Sequence, residues 1–200
     1  MLKEDLLLDS TRPFSDTPDI DLGGPESDSM GVLSSWYVLR VSYSRELKIQ
    51  DRLKELGVKS FVPMMWKKVK GEKKLVPAVS NLCFAYWTRE ALDGFIRSYG
   101  ETSPVSYYWD RTVNRPMTVP KKAMDDFMLV ASSMDEDLIY ITEISGKLKE
   151  GQTVKVKDGP FKGVEGKIVR IRKSRRILVE LPGMLAVAST YIVPQFLEII

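Results

Sequence analysis

Glycine and proline divide the last fifty residues of the chain into short apolar runs, and this pattern restricts the fold more than any other feature. Val and Ile dominate the runs and favour strands over helices, because their branched side chains are stiff beside the backbone. Five β-strands are predicted, at residues 153–157, 164–171, 177–181, 185–188 and 196–199. Five short strands without a helix are typical of a small closed β-barrel, which leaves few exposed strand edges.

The hundred residues before this region combine strands with helices. Aromatic and branched runs predict strands at residues 36–41, 58–63, 81–88 and 105–110, and a basic hairpin at 66–76. Apolar residues at helical spacing predict helices at 45–56, 89–99 and 120–131. The resulting β-α-β-β-α-β order predicts an antiparallel sheet with helices on one face, in the α+β class.

Composition sets the boundaries of these domains. Residues 1–33 hold eight acidic and two basic side chains among Ser, Pro and Gly, and are predicted to be a disordered acidic tail. Residues 132–147 lose the apolar period and are predicted to be a linker. The two domains are therefore expected at 34–131 and 148–200. Because the whole chain has a formal charge of only +3, the part after the acidic tail is strongly basic, which favours a polyanionic partner.

The chain contains no histidine and one cysteine, Cys83. This composition excludes Ser-His-Asp and Cys-His nucleophiles, His-ligated metal sites and Cys-based zinc clusters. The acidic pair at 125–126 and the acidic triplet at 135–137 are interpreted as a solvated helix end and part of the linker. We therefore predict a protein that is not an enzyme and needs no metal or other cofactor. The sequence has no run that could span a bilayer and no secretory signal pattern, so a cytoplasmic location is expected.

Residues 150–166 closely resemble the KOW motif. A strand is followed by Gly159-Pro160-Phe161, then by Gly163 and Gly166 at Gly-x-x-Gly spacing, and then by another strand. Glycine permits a positive φ in the tight loop and Pro160 stiffens it, so Phe161 is expected to be displayed at the tip. The resemblance implies that Phe161, with Gly159 and Pro160, contacts a partner such as Rho or the small ribosomal subunit. The alternative is that Phe161 packs on its own barrel.

The first domain resembles the NusG amino-terminal (NGN) domain. The resemblance rests on Trp-Tyr-Val-Leu at 36–39, Phe-Val-Pro at 61–63, the basic hairpin and the aromatic strand at 81–88. Together the two domains are similar to NusG/RfaH-type transcription elongation factors. The short hairpin tip at 69–74 and the stretch 183–188 are more similar to RfaH and to the UpxY transcriptional antiterminators of Bacteroidales.

This resemblance implies an elongation or antitermination factor that binds the clamp helices of the largest RNA polymerase subunit, acts as a monomer and recruits a second partner through the barrel. It implies a polymerase site at Phe84 and Tyr86, with Tyr37 as a neighbour. Alternation places Phe84 and Tyr86 on one face of their strand, opposite Cys83 and Ala85. The alternative is that these aromatics are sheet core. The family's prolines before this strand are absent here, since residues 79–82 read Val-Ser-Asn-Leu.

Three groups of basic residues are candidates for contact with nucleic acid. Lys48 and Arg52 lie one helical turn apart with Arg45 on the same flank, where they could contact upstream or non-template DNA. Lys70 and Lys73 belong to the lysine-rich hairpin. A third group, at residues 170–176, is a candidate for binding RNA, the ribosome or DNA. The alternative for each group is a solvated face, and the alternative for the whole chain is a ribosome- or RNA-associated KOW protein.

The sequence also predicts the resting state of the second domain. Relatives of the RfaH kind can store it as a helical hairpin over the polymerase site, but the Val, Ile, Gly and Pro content of residues 153–183 opposes helix. A β-barrel is therefore expected in the free protein, and the polymerase pocket is expected to be open.

Overall fold

The computed structural model describes residues 33–142, 151–171 and 173–200, which belong to one compact unit beginning at Leu33. The predicted acidic tail, apart from Leu33, lies outside the described residues, as do Arg172 and part of the predicted linker. Within the described ranges, no helix is long and apolar enough to cross a membrane.

The first domain contains nine strands and three helices within the described residues. In chain order they are β1 (Ser35–Val41), α1 (Glu46–Glu55), β2 (Lys59–Phe61), β3 (Met64–Val69), β4 (Glu72–Pro77), β5 (Leu82–Trp87), α2 (Arg89–Arg97), β6 (Val105–Tyr107), β7 (Trp109–Asp110), β8 (Arg115–Pro116), β9 (Thr118–Val119) and α3 (Lys121–Ala131). The predicted order of strands and helices is confirmed. The short strands β7, β8 and β9 were not separated by the sequence patterns.

The main sheet of this domain, the N-terminal sheet, has the order β2-β5-β1-β6, and β9 pairs with β1 beside β6. Its pairs are antiparallel, as predicted. Strands β3 and β4 form a separate two-stranded hairpin, whose turn residues Lys70 and Gly71 both have positive φ. Helix α2 begins after Thr88, whose side chain accepts a hydrogen bond from the Ala91 backbone N–H at 3.3 Å.

The two faces of the N-terminal sheet are covered differently. Leu39 and Ala85 face α1 and α2 and belong to an apolar cluster with Leu53 and Leu92. Val38 and Phe84 face the other way and belong to a cluster with Phe127 of α3. The prediction that the helices share one face is therefore wrong for α3. The physical reason is that both faces of β1 and β5 are apolar, so both need cover.

The second domain forms one sheet, the C-terminal sheet. It contains β10 (Ile139–Ile141), β11 (Thr153–Val156), β12 (Glu165–Ile171), β13 (Ser174–Leu181), β14 (Leu185–Ala188) and β15 (Leu197–Ile199), with a short 3₁₀ turn at Pro194–Phe196. The pairing order is β10-β14-β13-β12-β11-β15. All five predicted strands are present, and closure into a barrel stays a prediction.

The sixth strand, β10, lies inside the predicted linker at 132–147. Its three residues, Ile139, Tyr140 and Ile141, pair with Ala188, Val187 and Ala186 of β14. Pairing satisfies the backbone groups of an otherwise exposed strand edge. The linker prediction is therefore wrong at 139–141, where an apolar triplet was masked by the acidic residues around it.

One apolar cluster continues from the N-terminal sheet through α3 into the C-terminal sheet. Helix α3 contacts β1 on one side and both β13 and β14 on the other. Phe84, Phe127 and Ile177 are members of this cluster, and each is almost completely buried. The two domains therefore share a core in this structure, with α3 between them.

Candidate functional site

Four aromatic side chains lie on the α3-covered side of the N-terminal sheet, and we call this group the aromatic face: Trp36, Phe61, Phe84 and Tyr86. The Trp36 and Tyr86 rings, on paired residues of β1 and β5, have centroids 5.4 Å apart. Phe127 of α3 lies 6.2 Å from Phe84 and 6.3 Å from Phe61, measured between ring centroids. The predicted alternation along β5 is therefore confirmed for Phe84 and Tyr86.

Tyr37 does not lie with the aromatic face. It pairs with Ala85 across β1 and β5, and its ring packs at 5.7 Å from that of Tyr107 on the side covered by α1 and α2. The expectation that Tyr37 is a neighbour of Phe84 and Tyr86 is wrong. Side chains alternate along a strand, so Trp36 rather than Tyr37 lies beside Tyr86.

Tyr107 helps to fix the opposite face. Its hydroxyl donates to the Asp93 carboxylate at 2.7 Å, and Arg89 donates to the same carboxylate from α2. Burial, with the hydrogen bond to Asp93, raises the pKa of Tyr107 above its ordinary value. This network ties α2 to β6 on the face of the sheet opposite the aromatic face.

The aromatic face is closed in this structure. Phe84 has no exposed surface and Trp36 is 4% exposed, while Tyr86 is half-buried. The cover consists of α3 with side chains of the C-terminal sheet. The expectation of an open polymerase pocket is therefore wrong, although the C-terminal region is built of strands as predicted. Apolar surface on α3 and on the C-terminal sheet is removed from water by this contact, which favours the closed state.

Polar contacts also join the N-terminal domain to β10 and to the segment that precedes it. The Tyr140 hydroxyl of β10 donates to the Met64 carbonyl at 3.1 Å, and the Trp66 indole N–H donates to the Met134 carbonyl at 2.9 Å. Lys73 forms an ion pair with Glu136. Burial raises the pKa of Tyr140 above its ordinary value. The hairpin β3–β4 is thus attached to the segment between α3 and the C-terminal sheet.

Lys122 connects α3 directly with the C-terminal sheet. Its ammonium pairs with Asp126 one turn along α3 and donates to the Gly163 carbonyl at 3.1 Å. Asp126 in turn accepts a hydrogen bond from the Glu165 backbone N–H at 3.3 Å. Among the described residues, Lys121, the preceding residue, pairs only within the helix, with Asp125 at 2.7 Å.

A groove of about 670 Å³ opens at the rim of the aromatic face. Trp36 and Tyr86 form part of its wall, together with Arg115, Lys121 and Pro182 of the turn after β13. Tyr86 is therefore accessible from the groove even while Phe84 is closed off.

The basic residues of α1 are all exposed. Arg52 is paired with Glu55 at 2.6 Å, and the Arg45 guanidinium lies 5.5 Å from the centroid of the exposed Tyr43 ring. Lys48 has no ion-pair partner among the described residues. The predicted flank, made of Arg45, Lys48 and Arg52, is exposed to solvent in the structure.

The lysines of the β3–β4 hairpin stand opposite one another. Lys67 pairs in register with Lys74, and Lys68 with Lys73. Like charges directly opposite each other destabilise an antiparallel pair. Lys73 and Lys74 have carboxylate partners in Glu136 and Glu72, whereas Lys70 at the turn has none among the described residues. Additional anionic charge would stabilise this surface.

The loop that resembles a KOW motif does not display its phenylalanine. Gly159 and Gly163 have φ values of +87° and +90°, as the tight loop requires, and Pro160 is exposed. Phe161 is 7% exposed and belongs to the apolar cluster that spans both domains. The expectation of a displayed Phe161 is wrong, because the loop turns the ring into the apolar core.

The third basic group divides in the structure. Arg170, Lys173 and Arg175 are exposed around the β12–β13 turn, but Arg176 is buried.

The sequence patterns did not identify two residues at the aromatic face: Trp36, and Phe127 of α3, which covers it. The first follows from the register of β1 against β5, and the second could have been found from the apolar spacing of Met124, Phe127 and Val130 along α3.

Comparison with known proteins agrees with this domain arrangement. Residues 34–128 match the family model described as transcription termination factor NusG, and residues 150–180 match the KOW motif. None of the curated proteins matches the sequence. A solved structure described as "Domain interaction in Thermotoga maritima NusG" is similar at 18% identity, covering 84% of this chain and 97% of that one, with a TM-score of 0.44. The two family matches lie in the order NusG then KOW: residues 34–128 are similar to NusG, and residues 150–180 contain a KOW motif.

Proposed function

We propose that this protein is a transcription elongation or antitermination factor that binds RNA polymerase through its N-terminal domain. The observation that carries the proposal is the aromatic face on a domain that matches NusG. Clustered aromatic side chains around a concave surface are typical anchors for a helical partner. The clamp helices of the largest polymerase subunit are the proposed occupant. Phe84 and Tyr86 are the proposed anchors, together with Trp36.

Binding at this face requires the protein to open. Phe84 is completely buried beneath α3, so a partner that contacts it must displace α3 and the C-terminal sheet. Such a partner shifts the equilibrium by its differential affinity for the open state. The apparent affinity is then reduced by the fraction of molecules that are open. The half-buried Tyr86 in the rim groove offers a first contact before opening.

The exposed cations extend the proposed interface to nucleic acid. Lys48, Arg52 and Arg45 on α1 are proposed to contact phosphates of upstream or non-template DNA, with Lys70 and Lys73 of the hairpin as a second contact. Bridging DNA and polymerase favours the closed, elongating enzyme, and pausing or termination then falls. The proposal extends to long polysaccharide operons, on the similarity of residues 69–74 and 183–188 to the UpxY group.

Opening also frees the KOW region for a second partner. Phe161 is 7% exposed and belongs to the apolar cluster that spans both domains, and we propose that opening exposes its ring. Rho or the small ribosomal subunit is the proposed partner at Gly159–Phe161. Attachment to a polymerase-bound domain raises the effective concentration of the KOW region near its target. We propose that the protein does this as a monomer in the cytoplasm.

The proposal is tested by the affinity of the full chain for core RNA polymerase. Tyr86→Ala should weaken binding by about 1–3 kcal/mol, the usual cost of removing an interface anchor. Tyr99→Ala is the matched control, because Tyr99 is also half-buried but packs on the α2 side with Phe95. Equal affinities for the two folded variants would contradict the proposed site.

A ribosome- or RNA-associated KOW protein is the second candidate function. It is favoured by the exposed cations around the β12–β13 turn. Arg170 and Arg175 pair directly opposite each other, so two positive charges face each other at this surface. Capture of ribosomes or RNA by the full chain, without capture of polymerase, would select this candidate over the first.

A further inference from the structure

Arg170 and Arg175 form a pair of exposed cations near the turn between β12 and β13. They lie directly opposite each other in the register of the two strands, and like charges in that position repel. Neither has an ion-pair partner among the described residues. Lys173, at the turn itself, is also exposed and adds positive charge. An anionic partner at this surface would relieve the repulsion.

The next cross-strand pair on the same face is apolar. Side chains two residues apart along a strand share a face, so the Ile168–Ile177 pair follows the Arg170–Arg175 pair on one side of β12 and β13. Ile168 and Ile177 line a cavity of about 180 Å³, and the exposed Arg175 lines it as well. The cavity therefore has an apolar wall with a pair of cations beside it.

The rest of the cavity wall determines which kind of group fits. It includes Ile192, Leu197 and Ile199, and no aromatic residue lines the cavity within the described part of the chain. Ile199 is 67% exposed, so the wall is accessible to solvent. An apolar cavity of about 150 Å³ can hold one benzene molecule, and this one therefore accommodates a single leucine or phenylalanine side chain.

We propose that the cavity and its two arginines bind an acidic segment of another protein, which inserts one large apolar side chain. The cavity takes that side chain, and a carboxylate two residues away pairs with Arg170 or Arg175. An extended chain advances about 3.3 Å per residue, so the two groups of the partner lie about 7 Å apart. This distance matches the two-residue step from the isoleucine pair to the arginine pair along β12 and β13.

Nucleic acid is the other polyanion that could pair with these arginines. Single-stranded nucleic acid is held by aromatic side chains on which its bases stack, whereas the described walls of this cavity are aliphatic. An acidic peptide uses both the charge and the apolar space. The surface goes beyond the proposed function, because residues 159–161 do not line it and Arg170 and Arg175 are exposed while the aromatic face is closed.

The test follows the ¹³C-labelled isoleucine methyl groups of the full chain during titration with end-blocked peptides. The probe is Glu-Ser-Leu-Ser-Glu, and the analogues Gln-Ser-Leu-Ser-Gln and Glu-Ser-Ala-Ser-Glu remove its charges and its apolar side chain in turn. The probe should shift the methyl signals of Ile168 and Ile199 in a saturable manner. The glutamine analogue should bind about three-fold more weakly, since exposed ion pairs contribute little each, and the alanine analogue about ten-fold more weakly.

Equal binding by the three peptides would overturn the proposal, as would the absence of a saturable shift. An oligouridylate of the same length serves as the nucleic-acid probe. If it shifts the same isoleucine methyl signals at lower concentration than the glutamate peptide does, the surface belongs to RNA and the proposal is wrong.

Exposed variants locate the site without disturbing the core. Arg175→Gln should reduce the preference for the glutamate peptide over its glutamine analogue, whereas Lys162→Gln, an exposed cation outside the cavity lining, should keep it. Ile199→Ser should weaken binding of both peptides, and Ile200→Ser, at 57% exposure outside the cavity lining, should not. An unchanged preference in Arg175→Gln, or wild-type affinity in Ile199→Ser, would refute the assignment.

Discussion

Tyr140→Phe tests whether the contact between the two domains limits access to the aromatic face. Tyr140 lies on the C-terminal sheet and its hydroxyl donates to Met64 of β3 in the N-terminal domain, so any separation of the C-terminal sheet breaks this bond. The substitution removes the hydroxyl and keeps the ring, whose centroid lies 6.4 Å from that of Phe127. Packing is therefore largely preserved and the hydrogen bond alone is lost.

The size of the effect follows from the hydrogen bond. A neutral intramolecular hydrogen bond contributes about 1 kcal/mol net, which corresponds to roughly a five-fold change in the ratio of open to closed molecules. While the closed state dominates, the apparent affinity for polymerase should rise by the same factor, because it is set by the open fraction. Trp66→Phe removes the second bond, to Met134, and the double variant should gain roughly 30-fold if the two are independent.

The assay is a titration of core polymerase with the full chain, and the control is Tyr107→Phe. Tyr107 also loses one hydroxyl hydrogen bond, but on the side covered by α1 and α2. It should lower stability without raising affinity. An unchanged affinity for Tyr140→Phe, or an equal gain for Tyr107→Phe, would refute the reasoning that this contact controls access.

Three further predictions concern other parts of the molecule. Lys122→Glu should lower the thermal unfolding temperature more than Lys121→Glu, because Lys122 also binds Gly163 of the C-terminal sheet while the ion pair of Lys121 stays within α3; equal shifts would contradict this. Lys48→Glu with Arg52→Glu should weaken engagement of polymerase complexes that carry exposed upstream DNA, most at low salt, whereas Lys54→Glu on another flank should not; a salt-independent loss would indicate misfolding. Burial raises the pKa of the Cys83 thiol from 9.0 to about 12, so the folded thiol stays protonated while the unfolded one ionises. Stability should therefore fall as the pH rises from 9 towards 12, and Cys83→Ser should reduce that dependence in denaturant titrations.

The sequence predicts local structure well here because local rules decide it. The Val- and Ile-rich runs between Gly159 and Gly183 form strands, as their side chains predict. The errors concern relations between distant segments. Tyr37 and Trp36 are adjacent in sequence, and only the register of β1 against β5 decides which one meets Tyr86. Likewise Ile139–Ile141 is too short to be recognised as a strand until the free edge of β14 is known.

The same distinction explains why a strand-rich C-terminal region does not imply an open polymerase site. Strand propensity acts within residues 153–181, whereas closure depends on apolar surface from α3 and β13 that the sequence pattern cannot orient. Cover of the aromatic face thus needs no helical form of the KOW region. We therefore expect opening without refolding: in Tyr140→Phe, backbone chemical shifts across Val164–Val179 should remain those of strands, as in the wild type, while signals of Phe127 and Phe161 should move towards those of the open state as the open fraction rises about five-fold. The two readouts distinguish opening from refolding, because the backbone shifts report local conformation and the aromatic signals report the contact between domains. Helical shifts across Val164–Val179 in either protein would show that local preference does not decide the conformation of this region.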